Sequence, residues 1–333
     1  MKSNTENKIS IIIPAYNASQ TLVRTMDAIC NQSYKGLKEI IVVDDGSIDQ
    51  TQDIVKKFTG IKYVYQENAG PASARNNGFY NSTGNILFFT DADCIPQSDW
   101  IDKALFHFRE SNISVLAGSY GIANPNQILA KCIYEEILFR HKKFSNTMIK
   151  VFGSYNFAIR RPVFGKLGGF DQTYTSASGE DNDLSYRIIT AGYCIKFVSD
   201  MRVDHFHPTK ILIYLREQFN HGFWRAKLYL DHPHMTKGDT YTYWKDMFET
   251  GFVLMLLAFS PSIFFNDWRN VVIMTYPGLI ILLLLFECFY GLHIIRSNAM
   301  GLYFGWVMFL RAFTRTMGFL YGIIKFLPQR LFR

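Results

Sequence analysis

Up to about residue 240 the chain alternates brief apolar runs with amphipathic stretches, and beyond it the apolar runs lengthen. Residues 9–13, 40–43, 86–89 and 114–117 are short and rich in β-branched or aromatic side chains, a pattern that predicts buried strands. Residues 21–32 carry Leu22, Met26, Ile29 and Cys30 at helical spacing after Ser19, a residue type that caps helices. Ile54, Val55 and Phe58 mark a second helix. The resulting β-α-β-α order predicts an α/β fold with a mostly parallel sheet covered on both faces. Ligands of such sheets bind beyond the carboxyl ends of the strands. The expected organisation is a globular domain over residues 1–235 and a membrane-associated region over 236–333.

The second region carries the membrane signal. Residues 252–265 are apolar apart from Ser260, Pro261 and Ser262, and residues 271–290 meet the length of about 20 apolar residues that a spanning helix needs. Together they predict a hairpin over about 250–292. The segment at about 299–327 is interrupted by Arg311, Arg315 and Lys325 among many aromatics, which favours an interfacial helix over a third span. Basic residues follow the hairpin, while only Arg269 lies between its arms. The positive-inside rule then places both hairpin ends in the cytoplasm. Residues 2–8 are polar and the apolar run after them is too short for a secretory signal, so the first domain is expected to face the cytoplasm at the cell membrane.

Charge and cysteines narrow the classes further. The net charge of +7 suits an anionic membrane surface or a phosphate-bearing ligand and does not call for nucleic acid. Cys30, Cys94, Cys132, Cys194 and Cys288 form no CxxC pair and no zinc spacing, and read as reduced thiols. No GxGxxG follows the first strand, which removes support for a dinucleotide-dependent oxidoreductase.

Polar motifs cluster where strands are expected to end. Pro14-Ala15-Tyr16-Asn17 closes the first strand and offers a ring against which a base could lie. Asp44-Asp45-Gly46-Ser47 closes the second; of its two carboxylates, one is expected to be structural and one to serve a nucleotide. Residues 68–78 form a small-residue turn entering a helix that carries Arg75, a partner for phosphate or for a neighbouring aspartate. A hydrophobic strand then runs into Thr90-Asp91-Ala92-Asp93. Hard divalent cations take oxygen ligands, so Asp93 is a candidate metal ligand, and Asp91 a ligand of ribose or of a metal-bound water. Glu180, Asp181 and Asp183 open a later helix, with more acid than capping requires, and one of them is a candidate proton acceptor. Asp204-His205-Phe206-His207 supplies a further candidate ligand, His205, with His207 as its competitor.

Taken in order, these motifs resemble family 2 of the glycosyltransferases, over about residues 8–230. The resemblance implies a GT-A nucleotide-diphospho-sugar transferase fold with a Rossmann-like half, and an inverting, single-displacement transfer with Mg²⁺ or Mn²⁺. Residue by residue, it implies that Pro14, Ala15, Tyr16, Asn17 and Asp45 contact the nucleotide. Arg75 matches the arginine of the small-residue turn, and Asp91 and Asp93 match the DXD pair. Asp181, beside Glu180, matches the catalytic base, and His205 completes the metal site. Residues 152–173 resemble the donor-sugar and acceptor wall. The processive members' Gln-x-x-Arg-Trp is absent from residues 218–225, which implies transfer of one sugar.

The expected partners are a UDP- or GDP-linked sugar, a hydroxyl of a lipid-linked glycan or glycolipid acceptor, and membrane lipid. A polyprenyl-phosphate sugar synthase is the alternative among enzymes. A non-catalytic nucleotide-sugar-binding membrane scaffold is the alternative of another class.

Overall fold

The computed structural model describes residues 8–142, 148–235 and 244–331. The polar N-terminal stretch and the composition change near residue 240 lie outside the described residues. The chain divides into two compact units, one of residues 1–124 and 140–206, the other of residues 125–139 and 207–333.

The first unit is built on a nine-stranded mixed sheet. In chain order its strands are β1 (Ile9–Ala15), β2 (Lys38–Asp45), β3 (Ile61–Gln66), β4 (Ile86–Thr90), β5 (Cys94–Pro96), β6 (Val115–Ile122), β7 (Met148–Ile149), β8 (Asn156–Arg160) and β9 (Ile195–His205). Their spatial order is β3-β2-β1-β4-β8-β6-β9-β5, with β7 on β9. The half β3-β2-β1-β4 is parallel, as the alternating pattern requires, because helices cross over between its strands. These are α1 (Leu22–Cys30), α2 (Thr51–Val55) and α3 (Pro71–Tyr80). Beyond β4 the sheet becomes mixed, since β8 runs antiparallel to both β4 and β6. The remaining helices of this unit are α4 (Trp100–His107), α6 (Arg161–Lys166) and α7 (Glu180–Thr190); α5 (Ile128–His141) starts in the second unit.

The strands are apolar on both faces because two cores cover the sheet. Ile9, Ile11 and Ile13 pack with Leu22, Met26 and Trp100 on one face. Ile12, Ile41 and Val43 pack with Ala72, Ala74 and Phe164 on the other.

One irregularity governs where β9 ends. It pairs in parallel with β6, but the register passes from Gly118↔Val198 to Ser119↔Arg202, so residues 199–201 bulge out. Buried Asn156 stabilises the bulge by donating to Ser119 O (3.0 Å) and Met201 O (2.7 Å) and accepting from Trp100 Nε1 (2.8 Å). The bulge carries the strand on through Asp204 and His205. There it meets β5 antiparallel, with Cys94 opposite His205.

The second unit is helical: α8 (Ile211–Asp231), α9 (Trp244–Phe259), α10 (Asn266–Ile294) and α11 (Asn298–Leu331), with 3₁₀ turns at Pro233–Met235 and Ser260–Phe264. Three stretches are long and apolar enough to cross a membrane: Trp244–Phe264, Asp267–Ile294 and Asn298–Arg330. Sequence reasoning weighed the arginines of the last stretch against insertion. In the structure Arg311 is buried and forks onto Glu136 of α5, both contacts at 2.9 Å, with Glu249 at 3.4 Å. Arg315 donates to Asp246 (2.8 Å) and to Gln218. Lys245 lies between Glu249 and Glu287, 2.6 Å from the latter.

Removing one partner of such a buried pair leaves an uncompensated charge. Arg311→Ala is expected to lower the stability of the detergent-solubilised protein by about 3–5 kcal/mol. Thermal unfolding measures it, and a melting temperature equal to wild type contradicts the role.

Candidate active site

The candidate residues of the first unit gather at the carboxyl ends of β1, β2 and β4, the start of α7 and the end of β9. Their arrangement follows from what each strand end must satisfy.

β1 ends in Pro14 and buried Ala15, and Tyr16 projects with 54% of its surface exposed. Asn17 takes positive φ (49°), a conformation asparagine tolerates better than most residues. Its side-chain oxygen accepts from Ile48 N at 2.9 Å, and its backbone N–H donates to Ser47 Oγ at 2.9 Å. Asp49 extends this lacing by accepting from Ser19 N and Thr51 N, both at 3.0 Å. Burial acts on its carboxyl upward, but the hydrogen bonds from Thr51 and Ser19 hold it down to about 2. Asn17 is therefore a brace between the first two loops, and Ser19, expected as a cap, contributes its backbone to the same brace.

Both aspartates of β2 are buried and both are occupied. Asp44 accepts from Ser47 N (2.8 Å) and Tyr63 Oη (2.7 Å). Asp45 accepts from Gln66 Nε2 (2.7 Å), Ala69 N (2.9 Å) and Gly70 N (2.9 Å), with Asn68 Nδ2 at 3.3 Å. The Asp45 carboxylate thus folds the small-residue turn. Gly70 is required in that turn, with φ +90° and room so tight that a Cβ would stand 2.4 Å from Thr175 O.

The turn starts α3 and delivers Arg75 to the centre of the site. Its guanidinium is buried and spans two acids, donating from Nη2 to Asp91 Oδ1 (2.7 Å) and from Nη1 to Glu180 Oε1 (2.9 Å). The Phe170 ring lies 5.4 Å from its centre. Burial opposes the charge most strongly, but Asp91 and then Glu180 outweigh it and hold the guanidinium protonated above its usual range. Glu180 also accepts from Ser178 N at 2.9 Å through its second oxygen and is nearly inaccessible. It therefore anchors the start of α7, and Asp181, the next residue, is the half-exposed acid of the pair. Asn182 N donates to Asp181 Oδ1 at 2.8 Å. Asp183 is turned inward onto Arg187 (2.7 Å).

Asp91 keeps 29% of its side chain exposed and has its second oxygen to offer. Two residues on, Asp93 is 40% exposed and lies 3.3 Å from His205 Nε2. Burial pushes the Asp93 carboxyl up, but the charge and hydrogen bond of His205 prevail and hold it below the ordinary carboxylate value. Asp93, Cys94 and His205 bring ligand atoms within 4.8 Å of one another. Sequence reasoning passed over Cys94, although it follows Asp93 directly; the β5–β9 pairing sets it opposite His205. Burial, then Asp93 and Asp91, push its thiol well above the usual value, so it stays protonated. Asp93 and His205 are the donors that suit a hard divalent ion, with an accessible side left for ligand oxygens.

The His205 ring meets Tyr120 edge to face at 5.4 Å, and Tyr120 stacks on Tyr155 at 3.5 Å. His207 falls in the second unit, against Tyr134 (6.3 Å). Of the two histidines, His205 is the one beside Asp93.

Several known proteins resemble this chain. A family model described as Glycosyl transferase family 2 matches residues 10–168. Glycosyltransferase AglE of Haloferax volcanii is 29% identical over 221 residues, which cover 64% of this chain and 71% of that one. The pre-mycofactocin glycosyltransferase of Mycobacterium tuberculosis is 26% identical over 237 residues, 68% of this chain and 49% of its own length. Among solved structures, the mannosyltransferase PcManGT from Pyrobaculum calidifontis, in complex with GDP-Man and Mn²⁺, superposes with a TM-score of 0.59 at 17% identity, over 94% of this chain and 88% of that one. That likeness establishes the shared GT-A fold.

Two outcomes follow from the geometry. Arg75→Ala strands Glu180 as a buried, unpaired carboxylate and is expected to cost about 3–5 kcal/mol in thermal unfolding. Full stability would contradict the bridge. The depressed Asp49 pKa contributes stability that is complete above the unfolded value of about 3.9 and is lost as pH falls through about 2. Carboxyl-resolved NMR titration is expected to place its midpoint near 2, whereas a midpoint near 4 would mean the loops are not laced.

Proposed function

We propose that this glycosyltransferase, whose residues 10–168 match the family 2 model, moves one sugar from a nucleotide diphosphate donor to a hydroxyl of a membrane-associated, lipid-linked glycan by an inverting, metal-dependent single displacement. The observation that carries the reading is the Arg75 bridge. It holds the exposed edge of Asp91, next to the Asp93–His205 pair, and the start of α7, with Asp181, to one guanidinium.

In this reading Tyr16 offers its ring to the base. Asp45 acts through the turn it folds, and Pro14, Ala15 and Asn17 shape the rim of the nucleotide site. Asp91 accepts from a ribose hydroxyl or a metal-bound water through the oxygen that Arg75 leaves open. Asp93 and His205 would hold Mg²⁺ or Mn²⁺, which when bound supplies positive charge opposite the departing diphosphate. Asp181 takes the proton of the acceptor hydroxyl as that oxygen bonds to the anomeric carbon. The bond from that carbon to the diphosphate oxygen breaks, and the electron pair leaves with the nucleoside diphosphate. Glu180 stays out of the chemistry and fixes the angle at which Asp181 is presented. The long apolar helices support a site close to a membrane-borne acceptor, with the first unit on the cytoplasmic side.

The test is release of nucleoside diphosphate by the detergent-solubilised protein across a panel of UDP- and GDP-sugars with Mn²⁺. Turnover of a donor is expected to cease with chelator and to fall at least about 100-fold in Asp93→Ala, the scale of removing one main charge stabiliser. Chelator-resistant turnover contradicts the metal. Asp181→Asn separates two acceptor classes: near-complete loss of transfer is expected for a hydroxyl acceptor. A small loss would favour a polyprenyl phosphate, which needs no deprotonation. Absence of both turnover and calorimetric donor binding would favour a non-catalytic scaffold.

A further inference from the structure

The turn that carries Asp91 and Asp93 is fastened from behind by α1. That helix buries Leu22, Thr25, Met26 and Ile29 on one face. Three of the four are apolar, as the inward stripe of a helix on a sheet requires. Thr25 is the exception. It is fully buried, where a hydroxyl must find a partner to replace water. A helical threonine commonly turns its hydroxyl back to a carbonyl of the preceding turn. Thr25 instead donates to Ala92 O at 3.0 Å, 67 positions along the chain.

Ala92 stands between the two aspartates and is itself buried. Its carbonyl belongs to the rigid peptide plane from which Asp93 departs, so the tilt of that plane aims the Asp93 side chain. The other two carbonyls of the turn are occupied as well. Asp91 O accepts from Cys94 N and Asp93 O accepts from Phe206 N, both at 3.1 Å. The first bond closes the turn on itself, and the second ties it to the residue after His205. Thr25 supplies the third fastening, from the helix layer. Arg24, the residue before it, lies 5.3 Å from the centre of the Phe206 ring. Two successive residues of α1 thus touch both segments that bear Asp93 and His205, whose side chains are 3.3 Å apart.

We propose that Thr25 is a positioning residue for metal binding: by fixing the Ala92 carbonyl it holds Asp93 at the separation from His205 that a divalent ion between them requires. The inference rests on the metal reading of the proposed function. Without the hydroxyl, the buried Ala92 carbonyl loses its partner, and its peptide regains one by rotating toward water. Asp91 is anchored on Arg75 at 2.7 Å, so the displacement falls on Asp93.

The test uses the full chain in detergent and compares two variants. Thr25→Val keeps the branched shape and removes the hydroxyl, whereas Thr25→Ser keeps the hydroxyl. Mn²⁺ uptake is followed by electron paramagnetic resonance, with UDP and, separately, GDP present. Thr25→Val is expected to weaken Mn²⁺ binding about 10-fold or more, the scale on which outer groups that orient a metal ligand act, and Thr25→Ser to restore it. Wild-type affinity in Thr25→Val, or equal loss in Thr25→Ser, would overturn the proposal.

A metal-free readout separates this inference from the metal reading. Amide hydrogen exchange at Cys94 and Phe206 is expected to quicken in Thr25→Val, while Ile41 and Val42 of β2 keep their rates. Unchanged exchange at Cys94 and Phe206, or equal acceleration in β2, would overturn the hold on the turn. Absence of Mn²⁺ uptake by the wild type would refute the metal reading, and with it the role in metal binding, whatever the exchange shows. Should Thr25→Val not fold, Thr25→Ala takes its place in both measurements.

Discussion

A single guanidinium organises the catalytic unit. Arg75 is buried and charged, and that is tolerable only while both Asp91 and Glu180 face it, since an unpaired buried charge costs several kcal/mol. Three distant pieces of chain must therefore converge: the helix after the Gly70 turn, the end of β4, and the start of α7. In the proposed function the same constraint decides which acids are left for chemistry. Glu180 is consumed by the bridge and Asp91 is half consumed, while Asp93, two residues beyond Asp91, and Asp181, next to Glu180, stay partly exposed. Geometry of this kind is common where a site must be pre-organised before ligand arrives.

Much of this could be read from residue order. The strands β1, β2 and β4 were visible as short apolar runs because both faces of a parallel sheet are buried, and the acids at their ends stood out against that background. Arg75 was legible as a partner of an aspartate, though nothing local named Glu180, 105 positions away, as its second one. Asp45 shows the limit of motif reading. Its carboxylate was expected on a nucleotide, and it is saturated by backbone and amide donors of the 66–70 turn, an arrangement that only long-range folding creates. The end of β9 shows another limit. The three-residue bulge after Val198 interrupts the alternation that periodicity depends on, so the pairing that brings His205 to Asp93 is not visible in the sequence pattern. Cys94 follows Asp93 directly, but only the β5–β9 pairing sets it opposite His205.

The helical unit reverses the usual weight of charges in an apolar segment. Arg311 and Arg315 count against insertion when the segment is read alone. In the fold they find Glu136, Asp246 and Glu249, which lie on two other helices, so the cations are paired. That network fixes the register of α11 against α5 and α9. Close backbone contact then fixes it against α8.

In the proposed function, donor and acceptor groups are separate and are joined through Arg75. Calorimetry of donor binding addresses this most directly, with Mn²⁺ and the nucleotide sugar that wild type turns over. Binding is expected to collapse with chelator and in Asp93→Ala, to persist near wild-type affinity in Asp181→Asn, and to weaken in Arg75→Lys, which keeps the charge but cannot fork between two carboxylates. Metal-independent binding, or equal loss in Asp93→Ala and Asp181→Asn, would contradict the division of labour.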